Sequence, residues 1–193
     1  MKTDIILSGV GGQGILSIAT IIGEAATHSG LYLKQAEVHG MSQRGGDVQS
    51  NLRLSDSPIA SDLIAQGTAD MILSLEPMEA LRYLPYLDRE GWIITSSAPF
   101  KNIPNYPDEQ ALKEELAQLP HIILVDVEKI AHEHNMPKCA NVILLGAASR
   151  YLGIVSVEEL RDSIARVFGS KGAAVVEMNQ KAFDLGYAAA ENK

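Results

Sequence analysis

The stretch Asp4-Ile5-Ile6-Leu7-Ser8 runs directly into Gly9-Val10-Gly11-Gly12-Gln13-Gly14, and from Ile15 the spacing of apolar residues lengthens from that of a strand to that of a helix. Few architectures accept such a junction. A short, nearly all-apolar run ending in glycine reads as a strand buried on both faces, which requires helices above and below it. From Ile15 to Ser29 one polar stripe, Ser17, Thr20, Glu24, Thr27 and His28, marks a mostly buried helix, and Gly30 is placed to close it in the left-handed conformation. Residues 31–38 return as a second strand, completing a βαβ unit whose crossover is expected to be right-handed.

The alternation continues down the chain. Residues 48–54 set Val48, Ser50, Leu52 and Leu54 against Gln49, Asn51 and Arg53, the pattern of an antiparallel strand with one wet face. Further strands are expected at 71–75, 92–95 and 122–125, with a helix opened by Pro77 and others starting near Asp108 and Val127. Residues 97–107 hold three of the eight prolines and form the one long irregular loop. After Lys138 the pattern is helical throughout. Ser156-Val157-Glu158-Glu159 is a capping box for a helix ending near Phe168, and a last helix covers about 173–190. The expected fold is α/β: a three-layer, Rossmann-like, mostly parallel sheet with an antiparallel element and a helical C-terminal third. At 193 residues, with no repeat and no linker, a single domain spanning 1–193 accommodates all of it.

Composition removes several functions. A net charge of −8 without a Lys/Arg cluster argues against nucleic-acid binding. One cysteine, Cys139, is too few for an iron–sulfur cluster or a thiolate zinc site; in its apolar setting it reads as an inert thiol. The apolar runs at 122–125 and 142–145 are far short of a membrane span, and the chain starts in a strand pattern without a signal peptide, so no membrane contact and a cytoplasmic location are expected. His132 and His134, two apart on a helix, cannot face one metal, and no metal site is expected.

Gly9, Gly11 and Gly14 satisfy G-x-G-x-x-G between strand and helix, and Glu37 lies 23 residues past Gly14. That is the context of the dinucleotide fingerprint, with the acid placed to accept from a ribose. The physics is more general: glycines admit close approach, and the free N–H groups of the helix start attract any phosphate or carboxylate. A plain tight turn satisfies the same pattern, and the Gln13 amide can serve a ligand or the loop itself. A second loop, from Glu37 through His39, Ser42, Gln43, Arg44, Gly45 and Gly46, mixes acid, imidazole, hydroxyl, amide and guanidinium with glycine. It should leave the sheet beside the first, so the two loops are expected to meet; Arg44 suits a carboxylate or phosphate held by two bonds, or an ion pair within the fold. Glu76 reads as a first-turn acid and Asn141 as a polar residue at a helix start. Gly146-Ala147-Ala148 lets another backbone come close, inside the fold or across an interface.

GVGGQGI followed by EVHGMSQRGG, LEPMEALRYL and NVILLGAASRYLG resembles the gamma-domain family of the 2-oxoacid:ferredoxin oxidoreductases, and within it the small (beta) subunits of the indolepyruvate type. The likeness runs from Asp4 to about Tyr187, and the tandem of loops carries its specificity. It implies a subunit of an enzyme that decarboxylates a 2-oxoacid on thiamine diphosphate, passes electrons through iron–sulfur clusters to ferredoxin and forms an acyl-CoA. Thiamine diphosphate, Mg and the clusters then belong to a large partner subunit, with none bound by this chain and coenzyme A a candidate at a shared site. The chain lacks the G-D-G stretch of thiamine enzymes, so it is expected to be inactive alone and to carry no catalytic residue. The two loops, residues 9–14 and 37–46, would then bind a cofactor or line the subunit interface. A copy of itself is a further candidate partner for the isolated chain. The competing reading is a stand-alone dinucleotide-binding Rossmann-type protein.

Overall fold

The computed structural model describes residues 1–39, 46–101 and 103–191. Six strands form one sheet: β1 (Lys2–Val10), β2 (Tyr32–His39), β3 (Asp47–Ser55), β4 (Ala69–Ser74), β5 (Leu87–Ser96) and β6 (Ile122–Val125), in the order β2-β3-β1-β4-β5-β6. β1, β4, β5 and β6 run parallel, and β3 is antiparallel to both β1 and β2. Alternate residues of the apolar runs face opposite ways. Ile5, Leu7, Leu52, Met71, Leu73 and Ile94 enter one core, while Ile6, Ile72 and Ile93 enter the other with Ala80 and Tyr83. This is why the strands read as continuous hydrophobic runs.

Seven helices complete the described structure. α1 (Ile15–His28), α4 (Val127–Glu133), α5 (Ala140–Ala148), α6 (Val157–Phe168) and α7 (Ala173–Ala189) contribute to the larger core, and α2 (Pro77–Arg82) and α3 (Glu109–Ala117) lie together elsewhere, with α2 in the smaller core. α1 ends in a Schellman arrangement: the Leu31 N–H donates to Ala26, the Gly30 N–H donates to Thr27, and Gly30 has φ 73°. At α6 the Ser156 hydroxyl accepts from the Glu159 N–H at 3.1 Å, the expected cap. The small residues of α5 serve the fold itself. A Cβ on Gly146 would sit 2.0 Å from the Phe183 carbonyl oxygen of α7, and one on Gly186 would sit 1.8 Å from that of Ile143.

Three expectations are corrected. The second strand is not the neighbour of the first, because β3 takes the free edge of β1 and β2 pairs outside it. The polar face of β3 is also not wet throughout. The segment that follows folds over it, so that Asn51 Oδ1 accepts from the Ile64 N–H at 3.2 Å and Arg53 Nη1 donates to the carbonyls of Ser61 and Leu63, both at 3.0 Å. β5 also begins five residues before the expected Trp92, its polar start reaching back to Leu87, which pairs with Ala69 across an irregular register.

Candidate functional site

The glycine loop is built from its own atoms. Gly12 and Gly14 take φ of 104° and 86°, values that other residues rarely adopt. Between them Gln13 folds back: its Oε1 accepts from the Val10 N–H at 2.7 Å, and its Nε2 donates to the Leu75 carbonyl at the end of β4 at 3.3 Å. The amide therefore serves the loop. A Gln13→Ala variant leaves two half-buried backbone groups without these partners, and a loss of about 1–3 kcal/mol is expected from a denaturant melt.

Gly14 is held from the other end of the chain. Asn141 Nδ2 donates to its carbonyl at 3.1 Å, while Asn141 Oδ1 accepts from the Val142 N–H at 2.9 Å, so this side chain joins the start of α5 to the start of α1. A Cβ on Gly14 would lie 2.6 Å from that nitrogen. Sequence reasoning gave Asn141 only a helix-start role, because nothing local links it to a loop 127 residues away.

The two glycine loops do meet. The Gly11 N–H donates to the Gly46 carbonyl at 2.8 Å, beside the β1–β3 ladder that sets Gly9 opposite Val48 and Val10 opposite Asp47. Ser42, Gln43, Arg44 and Gly45, and the side chain of His39, lie outside the described residues. Two clefts flank the meeting point. One of about 400 Å³ is apolar, with Ile15, Leu16 and Val48 against the loop backbone. The other, about 480 Å³, lies between the loops after β1 and β4 and is bordered by Ser17, Leu75, Phe100, Lys138 and Asn141. The chain leaves β1 toward one edge of the sheet and β4 toward the other, so this second cleft is at the topological switch point, where open α/β sheets bind ligands.

Glu37 is not at that point. It is exposed on the edge strand, opposite Ser50, and Ser50 in turn lies opposite Leu7 of β1. Two strand spacings, about 9.5 Å, separate it from β1, and its Oε1 accepts from Gln35 Nε2 at 2.8 Å. The insertion of β3 has thus moved the acid away from the position that a dinucleotide ribose requires.

Glu76 does more than favour a helix dipole. Fully buried, it caps α2 by accepting from the Glu79 N–H at 2.9 Å, and it also accepts from the Phe100 N–H at 3.3 Å and from the Tyr106 hydroxyl. It thereby anchors the loop that carries Phe100 to the cleft wall. Sequence inspection missed this, since the donors come from a loop 24 and 30 residues away. Nearby, Asp47 accepts from the Tyr83 hydroxyl at 2.7 Å and Glu79 from Arg82 Nε at 2.6 Å. Burial pushes the Glu79 carboxyl above its ordinary range against the pull of Arg82, and Asp47 adds to the rise. Cys139 is buried, and burial raises its thiol. Among the described residues no group of three His, Cys, Asp or Glu side chains is placed to hold a metal, and no helix is long and apolar enough to cross a membrane.

The family model for pyruvate ferredoxin/flavodoxin oxidoreductase matches residues 4–189. The chain belongs to this family. An indolepyruvate oxidoreductase subunit IorB of Pyrococcus horikoshii is 36% identical to it over 197 residues, covering 97% of this chain and 96% of the relative. Two solved structures of 2-oxoacid oxidoreductases share the fold. The 2-oxoglutarate:ferredoxin oxidoreductase of Magnetococcus marinus, solved with 2-oxoglutarate, coenzyme A and succinyl-CoA, superposes with a TM-score of 0.78 at 22% identity, over 100% of this chain and 31% of that one. Pyruvate oxidoreductase subunit PORC of Thermotoga maritima gives 0.74 at 21% identity, covering 97% of this chain and 96% of that one. In this oxidoreductase family member the first glycine loop meets Gly46 in a rim at the carboxyl end of β1, with the cleft between the loops after β1 and β4 beside it.

Proposed function

We propose that this chain is the subunit without clusters or thiamine of a 2-oxoacid:ferredoxin oxidoreductase, acting on indolepyruvate or a related arylpyruvate, and that its glycine rim closes the active site of a large partner subunit. The reaction is oxidative decarboxylation to an acyl-CoA with ferredoxin as acceptor, carried out in the cytoplasm. The observation that carries this reading is how the rim is made. Gln13 and Asn141 direct their amides to the loop itself, so that among the described residues the rim presents backbone edges beside two clefts. The near full-length likeness to a subunit named for indolepyruvate supports the substrate class.

The large subunit is assigned the thiamine diphosphate, magnesium and iron–sulfur clusters. The residues here do not fit a cluster, since the one cysteine is buried with its thiol pushed up. This chain's work is to position and to exclude. Packed on the partner, the rim would exclude water from the site where the thiamine diphosphate of that subunit would supply the decarboxylation chemistry. The cleft beside Lys138 is offered to coenzyme A as a site shared between the subunits; the coenzyme A bound in the Magnetococcus enzyme supports this choice.

Alone, the chain is expected to turn over no 2-oxoacid, and mixing with the large subunit is expected to restore ferredoxin reduction. Arg44→Ala in that complex is expected to lower turnover or assembly; both unchanged would remove the rim from the mechanism. The displaced Glu37 disfavours a stand-alone dinucleotide protein. NAD or FAD at 100 times a real dissociation constant would add about 2.7 kcal/mol, or about 5–10 °C in a melt. No shift is expected with either, and a selective NAD shift would overturn the assignment.

A further inference from the structure

We infer that Tyr83 is the positioning residue of the glycine rim: its hydroxyl, acting through Asp47 and Gly46, fixes where Gly11 sits and so how the two loops meet. The inference rests on the reading of the rim as a functional edge. Tyr83 follows α2 and is 7% exposed, packed in the smaller core with Ile6, Ile72 and Ile93, its ring tilted against Tyr86 at 6.2 Å. From that apolar bed one polar atom emerges, and it donates to Asp47 Oδ2 at 2.7 Å. Asp47 is the first residue of β3, directly opposite Val10 in the ladder, and the residue before it supplies the carbonyl that receives the Gly11 N–H at 2.8 Å. A rigid ring in the core is thus three links from the loop backbone, each short and directional.

The surroundings make the hydroxyl hard to replace. The Glu79 carboxyl crowds Asp47 while Arg82 holds its other side, so Asp47 faces a second acid and gains from the phenol proton. Burial first, and Asp47 second, raise the phenol's pKa, which keeps Tyr83 a donor at neutral pH. Tyr83→Phe removes this one atom and leaves the apolar packing in place.

Amide exchange on the full chain reads the link directly. In Tyr83→Phe the Gly11 amide is expected to exchange about tenfold faster, as loss of one part-buried hydrogen bond predicts, while the Ile72 and Leu73 amides of β4 keep their rates. An unchanged Gly11, or a uniform acceleration of all three, would overturn the inference. Asp47→Asn, which keeps an acceptor for the hydroxyl, should show a smaller effect at Gly11 than Asp47→Ala; equal effects would count against it. In the reconstituted complex, Tyr83→Phe is expected to lower kcat several-fold with subunit affinity and the KM for ferredoxin unchanged. Faster Gly11 exchange with normal kcat would leave Tyr83 as the positioning residue and defeat the catalytic reading of the rim, so the two failures are distinct.

Discussion

An Arg53→Met variant is expected to lose about 3–5 kcal/mol at neutral pH, lowering the melting temperature by about 6–20 °C, and the deficit is expected to shrink as the pH falls toward 4. Asp4 has no exposed surface, yet it carries a carboxylate in the middle of the sheet. Arg53 answers it with a two-point contact, Nε to Oδ1 at 2.8 Å and Nη2 to Oδ2 at 2.9 Å, and Lys2 adds a third bond at 2.8 Å. Burial pushes the Asp4 carboxyl up, but the hydrogen bonds and charges of Arg53 and Lys2 outweigh it and hold the group below its ordinary 3.8. A depressed folded pKa contributes stability that is complete above the unfolded value and lost as pH falls through the folded one.

Without the guanidinium the balance reverses. Burial then dominates, the folded pKa rises above the unfolded one, and the variant loses stability as pH rises through and above about 4. Melts at pH 4 and pH 7 separate this from simple loss of packing. Arg53 also ties down the carbonyls of Ser61 and Leu63, and that part of the loss is independent of pH. Asp4→Asn in the Arg53→Met background should recover several tenths of the deficit or more, because a neutral amide is cheaper to bury alone. An identical deficit at both pH values would show that Asp4 is not the carboxylate at stake.

What could be read from the chain alone follows the distance over which each feature is determined. The Ser156 cap of α6 and the Gly30 closure of α1 are settled by residues three to five apart, and both form, although the Glu159 carboxylate turns to Arg166 and His28 rather than back to the cap. The glycine loop was legible for the same reason, and its meeting with Gly46 followed from the rule that loops leave a parallel sheet on one side. Strand order is set by pairings between distant segments. β3 could be seen to be antiparallel from its alternation, but not that it would slip between β1 and β2, and that insertion is what carries Glu37 off the site. Asn141, Tyr83 and the Glu76 anchor were silent because each acts on a partner far along the chain and each looks, locally, like an ordinary helix-end residue. Gln13 was the exception, since an amide three residues past Val10 can always turn back on the strand end, and the sequence leaves the ligand and the self-bracing uses equally open.

Gly186→Ala is expected to be the most disruptive single-methyl change in the helical layer, costing about 3 kcal/mol or more, or about 6–12 °C in a thermal melt. Away from such crossings, a glycine-to-alanine change in a helix usually stabilises, by favouring helix and restricting the unfolded chain. Here the added methyl would land 1.8 Å from the Ile143 carbonyl oxygen, and the reciprocal position, Gly146, would press on Phe183 at 2.0 Å. Both obstacles are backbone, which no rotamer change can move, so α5 and α7 would have to separate. Separation reaches the rim, because the second residue of α5 is the asparagine that holds Gly14. Gly169→Ala is the matched control: its Cβ would meet nothing within 4 Å and its φ of −54° suits any residue, so its melting point should stay level or rise. If Gly186→Ala melts with Gly169→Ala, the helices have slack at their crossing, and Asn141 cannot be transmitting their spacing to the loop.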